Sequence, residues 1–203
     1  MKLPFPGQEI VAFIVAVSFA AGLNVYAAVA TLGLLAHTGV IDLPASLDVL
    51  SNWLVIGASS VLFGVEFFAD KIPGFDLIWN ALHTFIRIPV AALLAYRATS
   101  TLTPVEQMGA TLAGGLIALA AHGGKTAMRA VVTPSPEPFS NIGLSLVEDG
   151  ASITLTWMAT KHPVLATAIA LLFVLVVVLL LRHVWRAVHR LFRRAKHVPE
   201  PST

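Results

Sequence analysis

Residues 163–181 run without one charged side chain. A helix needs about 20 mostly apolar residues to cross the hydrocarbon core of a bilayer, and within lipid every backbone polar group must be bonded internally. That segment limits the chain to helices that either span lipid or bury themselves completely. The remaining residues point the same way. Of 203 residues, 57% are hydrophobic and 12% charged, about half the charge of an average soluble domain. Mean hydropathy is +0.82. This excludes a disordered chain, a coiled coil and an ordinary cytosolic enzyme. There is no cysteine, which removes disulfides, thiolate metal sites, iron–sulfur clusters and a cysteine nucleophile.

Six spans are expected, at about 10–37, 52–69, 75–96, 106–122, 141–159 and 163–181. The first is over-long and holds Gly22-Leu23-Asn24 at its middle, so it either tilts steeply or breaks there. It lacks the basic cluster of a signal peptide and reads as a retained span. Glycine and proline mark the joints: Pro44, Pro73-Gly74, Pro104, Gly123-Gly124, Pro134, Pro136, Pro138 and Pro163. The expected fold is therefore all-α, a polytopic transmembrane helix bundle over residues 1–181, followed by a tail at 182–203. Ala36-His37-Thr38-Gly39 echoes Ala121-His122-Gly123-Gly124, and Val65-Glu66 echoes Val147-Glu148. Two three-span halves related in this way would be inverted repeats. Gly109, Gly114, Gly115 and nearby alanines suit close helix packing.

The net charge of +2 divides into +5 from residue 182 onward and −3 before it. A basic segment beside an apolar span is a cytoplasmic signature, so it gives little support for nucleic acid as a partner. Both termini are then expected to be cytoplasmic. The loop with Asp42 and Asp48 lies outside, and the loops at 70–75 and 123–140, with Lys71, Lys125 and Arg129, lie inside. Arg97 and Lys161 run against the rule, and the tail outweighs them. In the tail, Arg182, Arg186, Arg190 and Arg193 share one helical face opposite Trp185, Val188, Phe192 and Ala195. That is an amphipathic helix for the inner leaflet with anionic lipid as its partner, or a plain stop-transfer anchor. The segment 133–140 alternates proline and reads as a stiff connector or a lid.

Ionisable groups within spans are costly and mark functional sites by default. Here they form stripes at helical spacing: Glu66 and Asp70; Asp76, Asn80, His83 and Arg87; His122, Lys125 and Arg129; Asn141, Ser145, Glu148 and Ser152, with Asp149 alongside. At 1.5 Å per residue, His83 lies about 10 Å and Arg87 about 16 Å along the helix from Asp76. With the orientation above, all four stripes occupy the cytoplasmic half, where they would surround one polar cavity. The competing interpretation is packing: Glu66 or Asp70 paired with Lys71, or Glu148 with Arg87. Asn24 either caps a break or lines a path.

Two strings here are long and non-repetitive. One is Glu66-Phe67-Phe68-Ala69-Asp70-Lys71-Ile72-Pro73-Gly74-Phe75-Asp76, then His83-Thr84-Phe85-Ile86-Arg87-Ile88-Pro89. The other is His122-Gly123-Gly124-Lys125, Pro136-Glu137-Pro138-Phe139-Ser140-Asn141 and Glu148-Asp149. Together they resemble a family of bacterial integral membrane proteins known only as domain of unknown function 4126, over about residues 8–180. The resemblance implies a multi-span protein of the bacterial inner membrane and supplies no activity.

Function must come from the residues. The first expectation is a transporter or channel, with enzyme activity left open, whose Arg87, Lys71, Lys125 and Arg129 hold a small anion or a lipid phosphate. Glu66, Asp70, Glu148, Asp149 and His83 would couple it to protons, and a homo-oligomer is compatible with this. The alternative is a divalent metal, as cofactor or cargo, on Glu66, His83, His122 and Glu148, although no HExxH or ExxH spacing supports it. Two further alternatives are a metal-free lipid enzyme with Glu148 or His83 as base and a non-catalytic scaffold.

Overall fold

The computed structural model describes residues 7–72, 75–132 and 138–195. The described residues are all-helical: α1 (Gly7–Leu23), α2 (Val25–His37), a short 3-10 helix (Ala45–Ser51), α3 (Trp53–Ala69), α4 (Phe75–Ala98), α5 (Pro104–Val132), α6 (Pro138–Lys161) and α7 (Pro163–Ala195). Most of the proline-rich segment, residues 133–137, and the end of the tail lie outside them.

Local chemistry accounts for the helix boundaries. The over-long first apolar run is broken at Asn24, whose extended backbone ends α1 while its side chain accepts from the Ala27 N–H and starts α2. Helix α2 closes through Gly39, in the left-handed region at φ 70°. The Gly39 N–H donates to Ala36 O and the Val40 N–H to Leu35 O, the double bond of a Schellman end. Asn52 caps α3 by accepting from the Leu54 N–H. Thr103 and Glu106 bond reciprocally as a capping box ahead of α5. Proline opens α5, α6 and α7, where its missing N–H is not needed.

Helix α1 is the axis of the bundle. It packs on α4, α5, α6 and α7, and from Ala12 to Leu23 it is buried on nearly every face, with Phe13, Val17 and Phe19 in the core, while Val11 near its start is exposed. A helix apolar all round belongs at the centre. Helix α2 packs instead on α3, α6 and the 3-10 helix. Close approach to α1 depends on small residues. A Cβ at Gly22 would meet Ala118 O of α5 at 2.6 Å, and one at Gly114 would meet Ser18 Oγ of α1 at 3.0 Å and the Ala95 Cβ of α4 at 2.7 Å. Gly109, expected to serve packing, faces open space within 4 Å instead.

Two boundaries differ from expectation. Helix α5 does not stop at Gly123-Gly124 but runs ten residues past His122, because Lys125 and Arg129 must stay on the helical face that carries His122. Helix α7 continues unbroken through residue 182 to Ala195, so the basic segment begins as its extension. Helix α4 passes through Pro89. Among the described residues, Ile78–Ala98 is long and apolar enough to cross a bilayer unaided. The 3-10 helix and α3, bent by 62°, pass the same test together, while Glu9–Leu23, Val25–His37 and Pro163–Leu179 are apolar but shorter. Helices α5 and α6 do not pass this test.

Glycine substitutions test the packing. Gly22→Val should destabilise by about 1–3 kcal/mol through overpacking on α5. Gly57→Ala, where a Cβ meets nothing within 4 Å, should be neutral or stabilising by up to about 1 kcal/mol. Thermal unfolding of the two variants checks both, and a neutral Gly22→Val would refute the close α1–α5 contact.

Candidate functional site

The polar stripes of α3, α4, α5 and α6 converge on the break between α1 and α2. Glu66 and Arg87 form an ion pair with both side chains fully buried. Asp70, one turn on, takes Lys125 Nζ at 2.9 Å and Arg129 Nη2 at 3.0 Å. Glu148 takes the same two cations, Arg129 Nη2 at 2.5 Å and Lys125 Nζ at 3.3 Å. Arg129 also donates to the Asp70 carbonyl at 3.1 Å, a C-terminal carbonyl of α3 that a cation suits. One continuous network of ion pairs thus joins four helices.

The helix break is part of this network. Lys125 Nζ donates to Leu23 O at 3.1 Å, a carbonyl left over where α1 ends. Ser152 Oγ is within bonding distance of Ala20 O and Asn24 O. Asn24 Nδ2 donates to Asp149 Oδ1 at 2.8 Å. Asn24 therefore caps a break and also holds a carboxylate of α6. Thr84, not singled out from the sequence, and Asn80 hold the α4 side. Arg87 Nη1 donates to Asn80 Oδ1 at 3.1 Å and to His122 Nδ1 at 2.8 Å. Guanidinium has no acceptor, so His122 Nδ1 accepts. Its proton sits on Nε2, which faces Thr84 Oγ1 at 2.7 Å. His83 is set the other way: Nδ1 faces the Trp79 carbonyl at 2.8 Å and must donate, leaving Nε2 to accept from the Tyr26 hydroxyl at 3.2 Å.

Four carboxylates (Glu66, Asp70, Glu148, Asp149) thus meet three cations (Arg87, Lys125, Arg129). Asp149 is the one held by a neutral amide, and its Oδ2, like Glu66 Oε2 and Arg87 Nε, is buried without a hydrogen-bond partner. Ser145 is buried beside them. Asp76 and Asn141 lie on α4 and α6, with side chains outside the described residues. Lys71 does not join the ion pairs: its Nζ donates to Phe67 O at 2.7 Å and lies 3.0 Å over the Phe67 ring. Neither expected packing pair forms, Glu66 or Asp70 with Lys71, or Glu148 with Arg87; each acid finds a different cation.

The metal alternative gains no support. Among the described residues no group of three or more His, Asp or Glu is placed to hold a metal ion. Glu66 is committed to Arg87, His122 lies between Arg87 and Thr84, and His83 lies between Tyr26 and Trp79. An open volume adjoins the charges, and it is apolar. It encloses about 370 Å³ between α1, α5, α6 and α7, with Lys125 and Glu148 as its charged wall residues.

Comparison with known proteins finds one family, described as a domain of unknown function (DUF4126), whose profile matches residues 11–183. No curated protein and no solved structure matches.

Removing one member of a buried ion pair leaves an uncompensated charge at a cost of about 3–5 kcal/mol, whereas removing both is often near neutral. Arg87→Leu should therefore lower stability by about that amount, and Glu66→Leu added to it should restore a large part. Thermal unfolding of the singles and the double measures the coupling. Strict additivity would show that the pair does not exist.

Proposed function

This chain belongs to the DUF4126 family, and we propose that it is a multi-span integral membrane transport protein for a small anion or a lipid phosphate, coupled to protons. The observation that carries the proposal is the location of the charges. Glu66, Asp70, Arg87 and Arg129 are fully buried, while Phe85, Leu54 and Phe68 are 81%, 82% and 69% exposed. Charge inside and large apolar side chains outside reverse the soluble pattern and suit a bundle surrounded by lipid. On this reading α1 with α2 forms the first span and α3 to α7 the other five, in the inner membrane of a bacterium. The basic run that begins with the exposed Arg182 and Arg186 on α7 supports a cytoplasmic carboxyl end and, with six spans, a cytoplasmic amino end.

The transport step follows from competition for cations. Arg129 and Lys125 are held by Asp70 and Glu148. An incoming anion that bonds to them displaces one carboxylate, and the Glu148 side chain, 7% exposed, is the most open of the paired acids. Freed from its cations in a low-dielectric interior, that carboxylate takes up a proton. The anion and the proton then occupy the site together, and release of one favours release of the other. Arg87 with Glu66 is locked by Asn80 and His122 and serves as the fixed side of the site. The proposal assigns no catalytic residue.

Two experiments test this. With no native cysteine, Asp48→Cys and Ile72→Cys can each be probed in intact cells with an impermeant thiol reagent. Labelling of the first alone supports the orientation, and labelling of Ile72→Cys contradicts it. In proteoliposomes the wild type should move phosphate or a lipid phosphate faster under an inward proton gradient, and Glu148→Gln should remove the gradient dependence. If no anion, lipid or proton moves under any gradient, the network is a scaffold element and transport is wrong.

A further inference from the structure

The apolar cavity next to the charges narrows the class of substrate. Its walls come from α1 (Phe19), α5 (Leu119, Gly123), α6 (Val147) and α7 (Phe173, Val177). Leu119, Val147 and Phe173 also remain exposed on the outside of the bundle. The cavity therefore opens on the apolar outer surface, which faces lipid if the membrane reading holds. At the other end are Lys125 and Glu148. The Lys125 Nζ is shared between Asp70 and Glu148, and Lys125 also lines the cavity. A pocket of about 370 Å³ is at the small end of the ligand-pocket range, about 300–1,000 Å³, and suits one chain better than two.

An inorganic anion would gain nothing from such a route, because it would have to shed its hydration within hydrocarbon before meeting a cation. A molecule that brings its own hydrocarbon avoids that cost. From this juxtaposition of an apolar, laterally open cavity with the Glu148–Lys125–Arg129 ion pairs, we infer that the protein binds a lipid phosphate with a single hydrocarbon chain. The chain fills the cavity and the phosphate meets the cations as Glu148 turns aside. The inference rests on the transport reading and deepens it by choosing between its two substrate classes.

Gly123 provides the test. It lines the cavity, and a Cβ there meets nothing within 4 Å, so a large side chain projects into the volume without a clash at its root. Gly124, the next residue, differs: a Cβ there would come within 3.0 Å of Val177.

The purified protein would be photolabelled in detergent with a diazirine-bearing palmitoyl lysophosphatidate, and the labelled peptides mapped by mass spectrometry. The expected result is labelling of peptides from α5, α6 and α7, competed by unlabelled lysophosphatidate and weakly by monoacylglycerol. Gly123→Trp and, independently, Val147→Trp should weaken labelling by about tenfold or more, comparable to the loss of a few buried methylenes. Thermal unfolding identifies any variant that fails to fold. Equal competition by monoacylglycerol overturns the role of the phosphate. Undiminished labelling in both folded tryptophan variants overturns the cavity as the site. Flux separates the two proposals. Phosphate transport by a protein that takes no label sinks this inference and keeps transport. Labelling at the cavity with no flux of any lipid phosphate keeps the site and sinks transport.

Discussion

The fold depends on the need to satisfy charges that water does not reach. A carboxylate or guanidinium buried alone is prohibitively unfavourable, so Glu66, Asp70 and Glu148 have to meet Arg87, Lys125 and Arg129, and Asp149 has to be held by Asn24. They do so at a single level, where α3, α4, α5 and α6 meet the gap between α1 and α2. Several otherwise unrelated features follow. Helix α5 stays helical across Gly123-Gly124, since Lys125 and Arg129 reach Asp70 only from a continuous helix. The central helix breaks at Asn24, and the carbonyls freed there are taken by Lys125 and Ser152. The final carbonyls of α3 find a partner in Arg129. The break and the charges are thus mutually dependent.

The stripes themselves were legible in the sequence, because a helical period of 3.6 puts residues three and four apart on one face. Glu66 with Asp70, Asn80 with His83 and Arg87, and His122 with Lys125 and Arg129 each occupy the face expected of them. The partner of each charge was not legible. Lys71 is adjacent in sequence to Asp70, yet it begins the turn after α3 and folds back over Phe67, while Asp70 is met by α5 from 55 and 59 residues away. Pairing depends on which helices cross and at what height, and no local pattern encodes that.

The helix ends divide in the same way. Those set by local chemistry, such as the Asn52 cap and proline at 104 and 163, fell where the sequence put them. Those set by tertiary contact did not. Gly123-Gly124 looks like punctuation, and a helix of this composition would end there in isolation; the ion pairs beyond it keep it going. A polar cavity was expected among the charges; there, charges of both signs pair with one another, and the open volume beside them is lined mostly by apolar side chains, with Lys125 and Glu148 at its wall.

The hydrogen-bond directions further restrict how a proton can move. His122 faces an obligate donor, Arg87, across 2.8 Å. A second proton on that imidazole would set two donors against each other, so His122 serves as a fixed acceptor that orients the guanidinium. His83 differs, because its partner is a hydroxyl. A hydroxyl can both donate and accept, so the Tyr26–His83 contact does not fix either partner's role. Asp149 differs again, with one oxygen held by a neutral amide and the other without a partner. Within one network, then, Arg87 and His122 form a part whose protons are fixed by geometry, while His83–Tyr26 and Asp149 lie at its edges with freedom to change. In the transport proposed above, Arg87 and His122 are the fixed side of the site, and the proton is taken at Glu148 as its cations are displaced.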